Sequence, residues 1–149
     1  MPIVYRTAQT ADAETITQLA MLLYESEANE YDAELEAHKE YLTNPEMAIF
    51  LTFDGDKAIG FSHTSLRYDY VEGTSGGTIG YLEGIYVDPN YRGQGVAKEL
   101  VTLCENWAKE KGCAEFASDC GLDNTNSLAF HLNIGFEEAN RIICFTKKI

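Results

Sequence analysis

Glu83 interrupts the apolar run Tyr81-Leu82-Glu83-Gly84-Ile85-Tyr86-Val87, where a carboxylate is costly to bury without a partner or a task. Asp119 closes a second short stretch, Ala114 to Asp119. Two carboxylates at such positions can gather a cation and accept a proton from an amine. Each has a plainer reading too: Glu83 as the ion-pair partner of a basic neighbour such as Arg67, Asp119 as a strand-end turn or helix cap. Between them, the run from Tyr86 stops at Asp88-Pro89 and gives way to Arg92-Gly93-Gln94-Gly95, after which a helix starts at Val96. A helix N-terminus exposes unpaired N–H groups and partial positive charge, and glycines let an anion come close. Together they form a phosphate cradle, with Arg92 adding a full charge and Lys98 lying one turn in. Neither nucleotide signature fits this loop: G-x-x-x-x-G-K-[ST] is absent, and Lys98 stands where G-x-G-x-x-G needs its third glycine.

The elements that must hold these groups follow from the pattern. Ile3 to Arg6 reads as a strand. Thr10 or Asp12 is placed to cap a helix whose apolar positions are Ile16, Leu19, Ala20 and Leu23. An acidic helix is expected from Tyr31 to Leu42, broken by Asn44-Pro45. Met47 to Phe53 and Lys57 to Tyr70 read as strands joined by Asp54-Gly55. The run Glu72 to Gly77 is a hairpin connection and not a phosphate loop, because no helix follows it. Thr78 to Asp88 is a central strand. Val96, Leu100, Leu103, Cys104 and Trp107 mark one helix face, ended by Gly112. Ala114 to Asp119 is a strand parallel to Thr78–Asp88 through that crossover. Asp123 or Asn124 caps a last helix that Gly135 stops, and Arg141 to Lys147 reads as a final strand. The expected architecture is one mixed α/β domain over residues 1–149, with a largely antiparallel sheet and one parallel pair.

Composition narrows the classes of function. The chain has 149 residues, 45% hydrophobic and 23% charged, which suits one globular domain. No apolar run approaches the ~20 residues of a membrane span. Met1-Pro2-Ile3-Val4 lacks a signal-peptide layout, so cytoplasm is the expected location. Cys104, Cys113, Cys120 and Cys144 form no C-x-x-C pair; no metal site is expected, and the thiols read as small buried hydrophobes. A formal charge of −13 argues against nucleic acid and suits a cationic ligand if the acids line a cleft. Solubility explains the same charge. His38 and His63 read as structural or surface residues.

Arg92-Gly93-Gln94-Gly95-Val96-Ala97 after Val87-Asp88-Pro89 resembles the acetyl-CoA pyrophosphate loop of the GNAT N-acetyltransferase superfamily. Asn124-x-x-Ser127-x-x-Phe130-His131, followed by Gly135-Phe136, is similar to that superfamily's later N-x-x-A-x-x-[LF]-Y-x-x-x-G-F segment. The resemblance implies acetyl-CoA as co-substrate. Backbone groups of Ile85 and Val87 would bond the pantetheine arm like an added strand. The N–H groups of Gly93, Gln94, Gly95, Val96 and Ala97 would hold the pyrophosphate, with Arg92 and Lys98 beside it. Asn124 would reach the pantetheine and His131 would sit near the sulfur. His131 replaces the superfamily's usual tyrosine, and serves either as the acid for the leaving thiolate or as a packing residue.

A finer resemblance, carried by LRYDYVEGT, YLEGIYV, EFASDCGLDN and FTKKI, is to bacterial aminoglycoside 6'-N-acetyltransferases. It implies that Glu83 and Asp119 bind or deprotonate substrate amines and that Tyr70 forms part of the pocket wall. Tyr24 would stand where some relatives carry tryptophan. Glu25, Glu27, Glu30, Asp69, Glu72, Glu137 and Glu138 are further acids near such a cleft, and Glu138 is taken as a substrate contact. A homodimer joined through the apolar tail RIICFTKKI is expected from the same resemblance, although an intrachain edge strand accounts for the tail equally well. The alternatives are a polyamine acetyltransferase and a non-catalytic acetyl-CoA sensor.

Overall fold

A computed structural model describes residues 2–149. Its sheet has five strands in the order β1 (Ile3–Thr7), β2 (Met47–Asp54), β3 (Lys57–Arg67), β4 (Ile79–Val87) and β5 (Phe116–Ala117). The first four pair antiparallel in sequence, while β4 and β5 run parallel. Helices α1 (Ala13–Tyr24) and α2 (Tyr31–Thr43) precede β2, α3 (Val96–Glu110) links β4 to β5, and α4 (Thr125–Asn133) follows β5.

Side-chain alternation along β2 divides the core. Ile49 and Leu51 pack with Ile16, Leu19, Ala20 and Phe61 beneath α1, whereas Phe50 turns to the other face and packs with Leu82, Val87, Val96, Leu100 and Cys104 of β4 and α3. Both faces are therefore covered, which explains why β2 and β4 read as near-continuous apolar runs.

Several expectations change at the edges. The long strand after Lys57 ends at Arg67, so Tyr70 lies in the following loop. The parallel partner of β4 shrinks to two residues: the pairs are Gly80–Phe116 and Tyr81–Ala117, and beyond them the strands separate. Arg141 to Lys147 is not a strand. The tail finds no sheet edge within its own chain, and Ile143 and Phe145 are 76% and 89% exposed. Thr10 opens a short 3-10 turn ahead of α1, and Asp12 caps no α1 N–H; its carboxylate instead binds Arg6 and the Gln9 N–H. Cys104 and Cys113 are buried as expected, but Cys120 and Cys144 are exposed. No described helix is long and apolar enough to cross a membrane.

Candidate active site

The point where β4 and β5 part is the centre of the site. In the β3–β4 ladder His63 faces Gly84 while the next pair is Thr64 with Leu82, which leaves Glu83 as the extra residue of a β-bulge. A bulge bends the strand and re-aims one side chain. It accounts for a carboxylate tolerated in so apolar a run, because Glu83 is lifted out of the alternation. Both Glu83 oxygens are held by the Arg67 guanidinium, the longer bond being 3.0 Å. The ion-pair partner considered from sequence is thus real. Arg67 also lies 3.5 Å from the centre of the Tyr81 ring, a cation–π contact.

Across the gap, Asp119 accepts a short hydrogen bond from the Tyr81 hydroxyl. Burial, and then this bond, raises the Tyr81 phenol well above its usual range. The hydroxyl therefore stays protonated and donates. Asp119 is anchored to β4 from β5's side, so the two carboxylates flank the same opening through Tyr81 and Arg67.

His131 projects from α4 toward the same region. Its Nδ1 lies 2.7 Å from the Ser127 carbonyl oxygen and its Nε2 2.8 Å from the Ser118 hydroxyl. A carbonyl only accepts, so Nδ1 carries the hydrogen. In the neutral ring Nε2 then accepts from the hydroxyl of Ser118, the first residue after the last β4–β5 pair. Asn124 caps α4 by accepting from the Ser127 N–H at 3.1 Å, which decides between the two cap candidates.

The loop between β4 and α3 has the expected backbone form. Gly93 and Gly95 have φ of +77° and +82°, and an added Cβ at either would meet nothing within 4 Å. Glycine is needed here for its backbone conformation. Gly95 is the N-cap of α3 and no side chain caps that helix, which leaves its first N–H groups facing the loop. Val96 is buried in the core, so only its backbone is available there, while Lys98 is exposed in the first turn. Gln94 reaches the Asn90 carbonyl at 3.5 Å. Arg92 folds back, its Nε donating to the Val87 carbonyl at 2.7 Å. It thereby closes the loop onto the end of β4, and its interaction with a ligand is limited to the remaining guanidinium nitrogens. Ile85 packs against the α3 core.

The other forecast contacts are looser. Tyr70 is 73% exposed on the loop after β3. Glu138 is taken by Arg141 three residues on. Tyr24 ends α1 with its hydroxyl 2.7 Å from where a Gly84 Cβ would stand, so Gly84 is what admits that ring beside Glu83. A hollow of about 480 Å³ lined by Tyr41, Met47, Phe50 and Trp107 includes none of these groups. Among the described residues no three His, Cys, Asp or Glu side chains gather as metal ligands.

Sequence reasoning missed Ser118 and the Tyr81–Asp119 bond. The Ser118 and Tyr81 contacts join residues 13 and 38 positions apart and leave no local signal.

A bulged carboxylate at a strand divergence, beside a glycine loop that opens a helix, is the arrangement that the resemblance to acetyl-CoA-dependent transferases leads one to expect. The chain belongs to the acetyltransferase (GNAT) family, whose pattern matches residues 13–136. It is 41% identical over 117 residues to an aminoglycoside N(6')-acetyltransferase type 1 of Salmonella typhimurium, covering 78% of this chain and 81% of that one. It is 34% identical to the Klebsiella aerogenes protein of the same name, covering 99% and 97%. Among solved structures, AAC(6')-Iy in complex with the bisubstrate analog CoA-S-monomethyl-acetylneamine superimposes with a TM-score of 0.93 at 35% identity, over the whole of both chains.

Proposed function

We propose that this chain, a single domain, transfers the acetyl group of acetyl-CoA to the 6'-amino group of aminoglycosides, inactivating the antibiotic. The observation that carries this reading is the full-length likeness to AAC(6')-Iy, a protein solved with a CoA–acetylneamine conjugate. The cleft's chemistry supports it. Glu83 and Asp119 are two anchored carboxylates, each held by a group that can yield to a substrate ammonium: Arg67 on one side, the Tyr81 hydroxyl on the other.

In this reading the pyrophosphate lies on the N–H groups from Gly93 to Ala97, and the pantetheine runs along Ile85 and Val87 into the gap between β4 and β5, with Asn124 reaching it from α4. The 6'-ammonium binds Glu83, which displaces Arg67 and accepts the proton, directly or through water. The free amine attacks the thioester carbonyl. An N–C bond forms, the attacking nitrogen releases its second proton to water, the C–S bond breaks and CoA thiolate leaves. His131 Nε2 and the Ser118 hydroxyl form the path by which a proton reaches that thiolate. Tyr24 and Tyr70 line the sugar side, and Glu138 would contribute there once freed from Arg141.

Location and assembly follow from the same reading. The co-substrate is made inside the cell, which supports a cytoplasmic enzyme. The exposed apolar tail, with Ile142, Ile143, Phe145 and Ile149 all uncovered, supports a homodimer in which each tail adds to a sheet edge of the other copy.

Thiol release from acetyl-CoA with kanamycin, its 6'-hydroxyl counterpart and spermidine tests the function. Turnover with kanamycin and not with the hydroxyl compound is expected. Turnover with spermidine alone would reassign the enzyme to polyamines, and silence with all three would favour the sensor reading.

A further inference from the structure

Tyr81 stands where the two arms of the site meet. It forms the last parallel pair of the sheet, with Ala117, and beyond that pair the strands separate. Glu83 follows Tyr81 by two residues, and Asp119 follows Ala117 by two. From this position one side chain reaches both carboxylates. Its hydroxyl donates to Asp119 Oδ2. Its ring carries the Arg67 guanidinium 3.5 Å from the ring centre, and Arg67 binds both oxygens of Glu83.

The two carboxylates are not held alike. Glu83 is part of β4, with ladder pairs on either side of its bulge. Asp119 is exposed and lies past the end of β5, in the run from Ser118 to Asn124 that is neither helix nor strand. Backbone pairing therefore does not fix its side chain, and an exposed carboxylate on a loop has several rotamers open to it. Tyr81 is the opposite case. It is 6% exposed and packed with Val71 and Ile79, so its ring is a rigid arm with a polar tip. Burial, and then the bond to Asp119, raises the phenol, which keeps the hydroxyl a donor near neutral pH. A carboxylate offers about four acceptor sites. The hydroxyl uses one of them and need not leave for Asp119 to accept from an ammonium.

We propose that Tyr81 is a positioning residue for the acceptor, its hydroxyl holding Asp119 in the orientation in which that carboxylate receives a substrate ammonium. The proposal rests on the aminoglycoside reading and deepens it by naming the group that sets the second anionic contact. A carboxylate already oriented pays less ordering cost when the cation arrives.

The test is a double-mutant cycle. Tyr81→Phe keeps the ring beneath Arg67 and removes only the hydroxyl; Asp119→Asn removes the charge that the hydroxyl orients. Wild type, the two single variants and the double variant are compared by the calorimetric Kd of kanamycin for the protein loaded with CoA, a complex in which no transfer occurs. Tyr81→Phe is expected to raise that Kd about fivefold in the wild-type background, somewhat below the loss of a whole charged hydrogen bond, and by less than about twofold in the Asp119→Asn background. The Kd of acetyl-CoA should stay within about twofold throughout, which a general loosening of the strands would not allow. Equal rises in the two backgrounds would mark a purely structural role and overturn the proposal. An unchanged Kd in Tyr81→Phe would overturn it too, and so would a lower one, since that would make the hydroxyl a competitor of the ammonium. Each of these results leaves the aminoglycoside reading intact. A wild type that neither binds nor turns over kanamycin overturns both. Should Tyr81→Phe not fold, Asp119→Glu shifts the carboxylate by one methylene away from the hydroxyl's set position; a rise of similar size is expected, and an unchanged Kd would overturn the proposal.

Discussion

Glu83 is bound through both oxygens to Arg67, so its substitution tests chemistry only if binding and structure are followed together. In Glu83→Gln, kcat is expected to fall roughly a hundredfold, within the range for loss of a positioned general base, while the dissociation constant for acetyl-CoA stays within about twofold. Steady-state kinetics with calorimetry separates the two, and an unchanged kcat at saturating substrate would remove Glu83 from the proton path. His63 makes a different prediction. Its Nε2 is buried without a partner, its ring stacks on Tyr41 at 4.9 Å, and burial pushes its pKa down to about 4, with His38 nearby adding to the effect. The unfolded chain protonates this group near pH 6.5. Between pH 6.5 and 4 the unfolded state therefore binds more protons, and stability falls as pH falls. From pH 7 to pH 5 this is worth about 2 kcal/mol. His63→Phe preserves the stack and should flatten that part of the profile, read by urea unfolding at the two pH values. A residual slope is expected from His38, whose pKa burial also lowers.

Among the elements, the loop between β4 and α3 carries the clearest consequence. Gly95 is at φ +82°, a conformation that asparagine tolerates better than most residues. Gly95→Asp and Gly95→Asn share shape and backbone demand and differ in charge. The Asp variant is expected to weaken acetyl-CoA binding by tenfold or more, because it places negative charge where phosphates sit on a helix N-terminus, and the Asn variant only a few-fold. Equal losses by calorimetry would assign the effect to backbone strain. The bulge in β4 is the other decisive feature: without the extra residue between the His63–Gly84 and Thr64–Leu82 pairs, Glu83 would follow the strand's alternation and not stand out of it.

For the whole molecule, the open question of assembly has a direct reading. Residues 142–149 form an exposed apolar tail after α4, outside the sheet. Light scattering at micromolar concentration is expected to give twice the chain mass for the full protein and a single chain mass after deletion of residues 142–149. A full-length monomer would show that the tail remains uncovered. The charge of −13 takes on a local meaning in the proposed reading, in which Glu83 and Asp119 flank the opening that a polycation would enter.

The sequence alone determined the helices, a largely antiparallel sheet with one parallel pair and the glycine loop ahead of α3, and it singled out Glu83 and Asp119 as candidates. Each of these is written in contiguous residues: periodicity at Val96, Leu100 and Cys104, glycines at 93 and 95, a carboxylate inside an apolar run. Tertiary structure decided what those residues touch. Arg67 on Glu83, Tyr81 on Asp119, Ser118 on His131 and Ser26 on Glu34 are contacts between separate elements. They are set by a strand register, a bulge and a helix-ending turn, which local pattern does not encode. The tail was misread for the same reason. A short apolar segment is suited to a strand, but a strand requires a paired neighbour, and this tail lies away from both open edges of its own sheet.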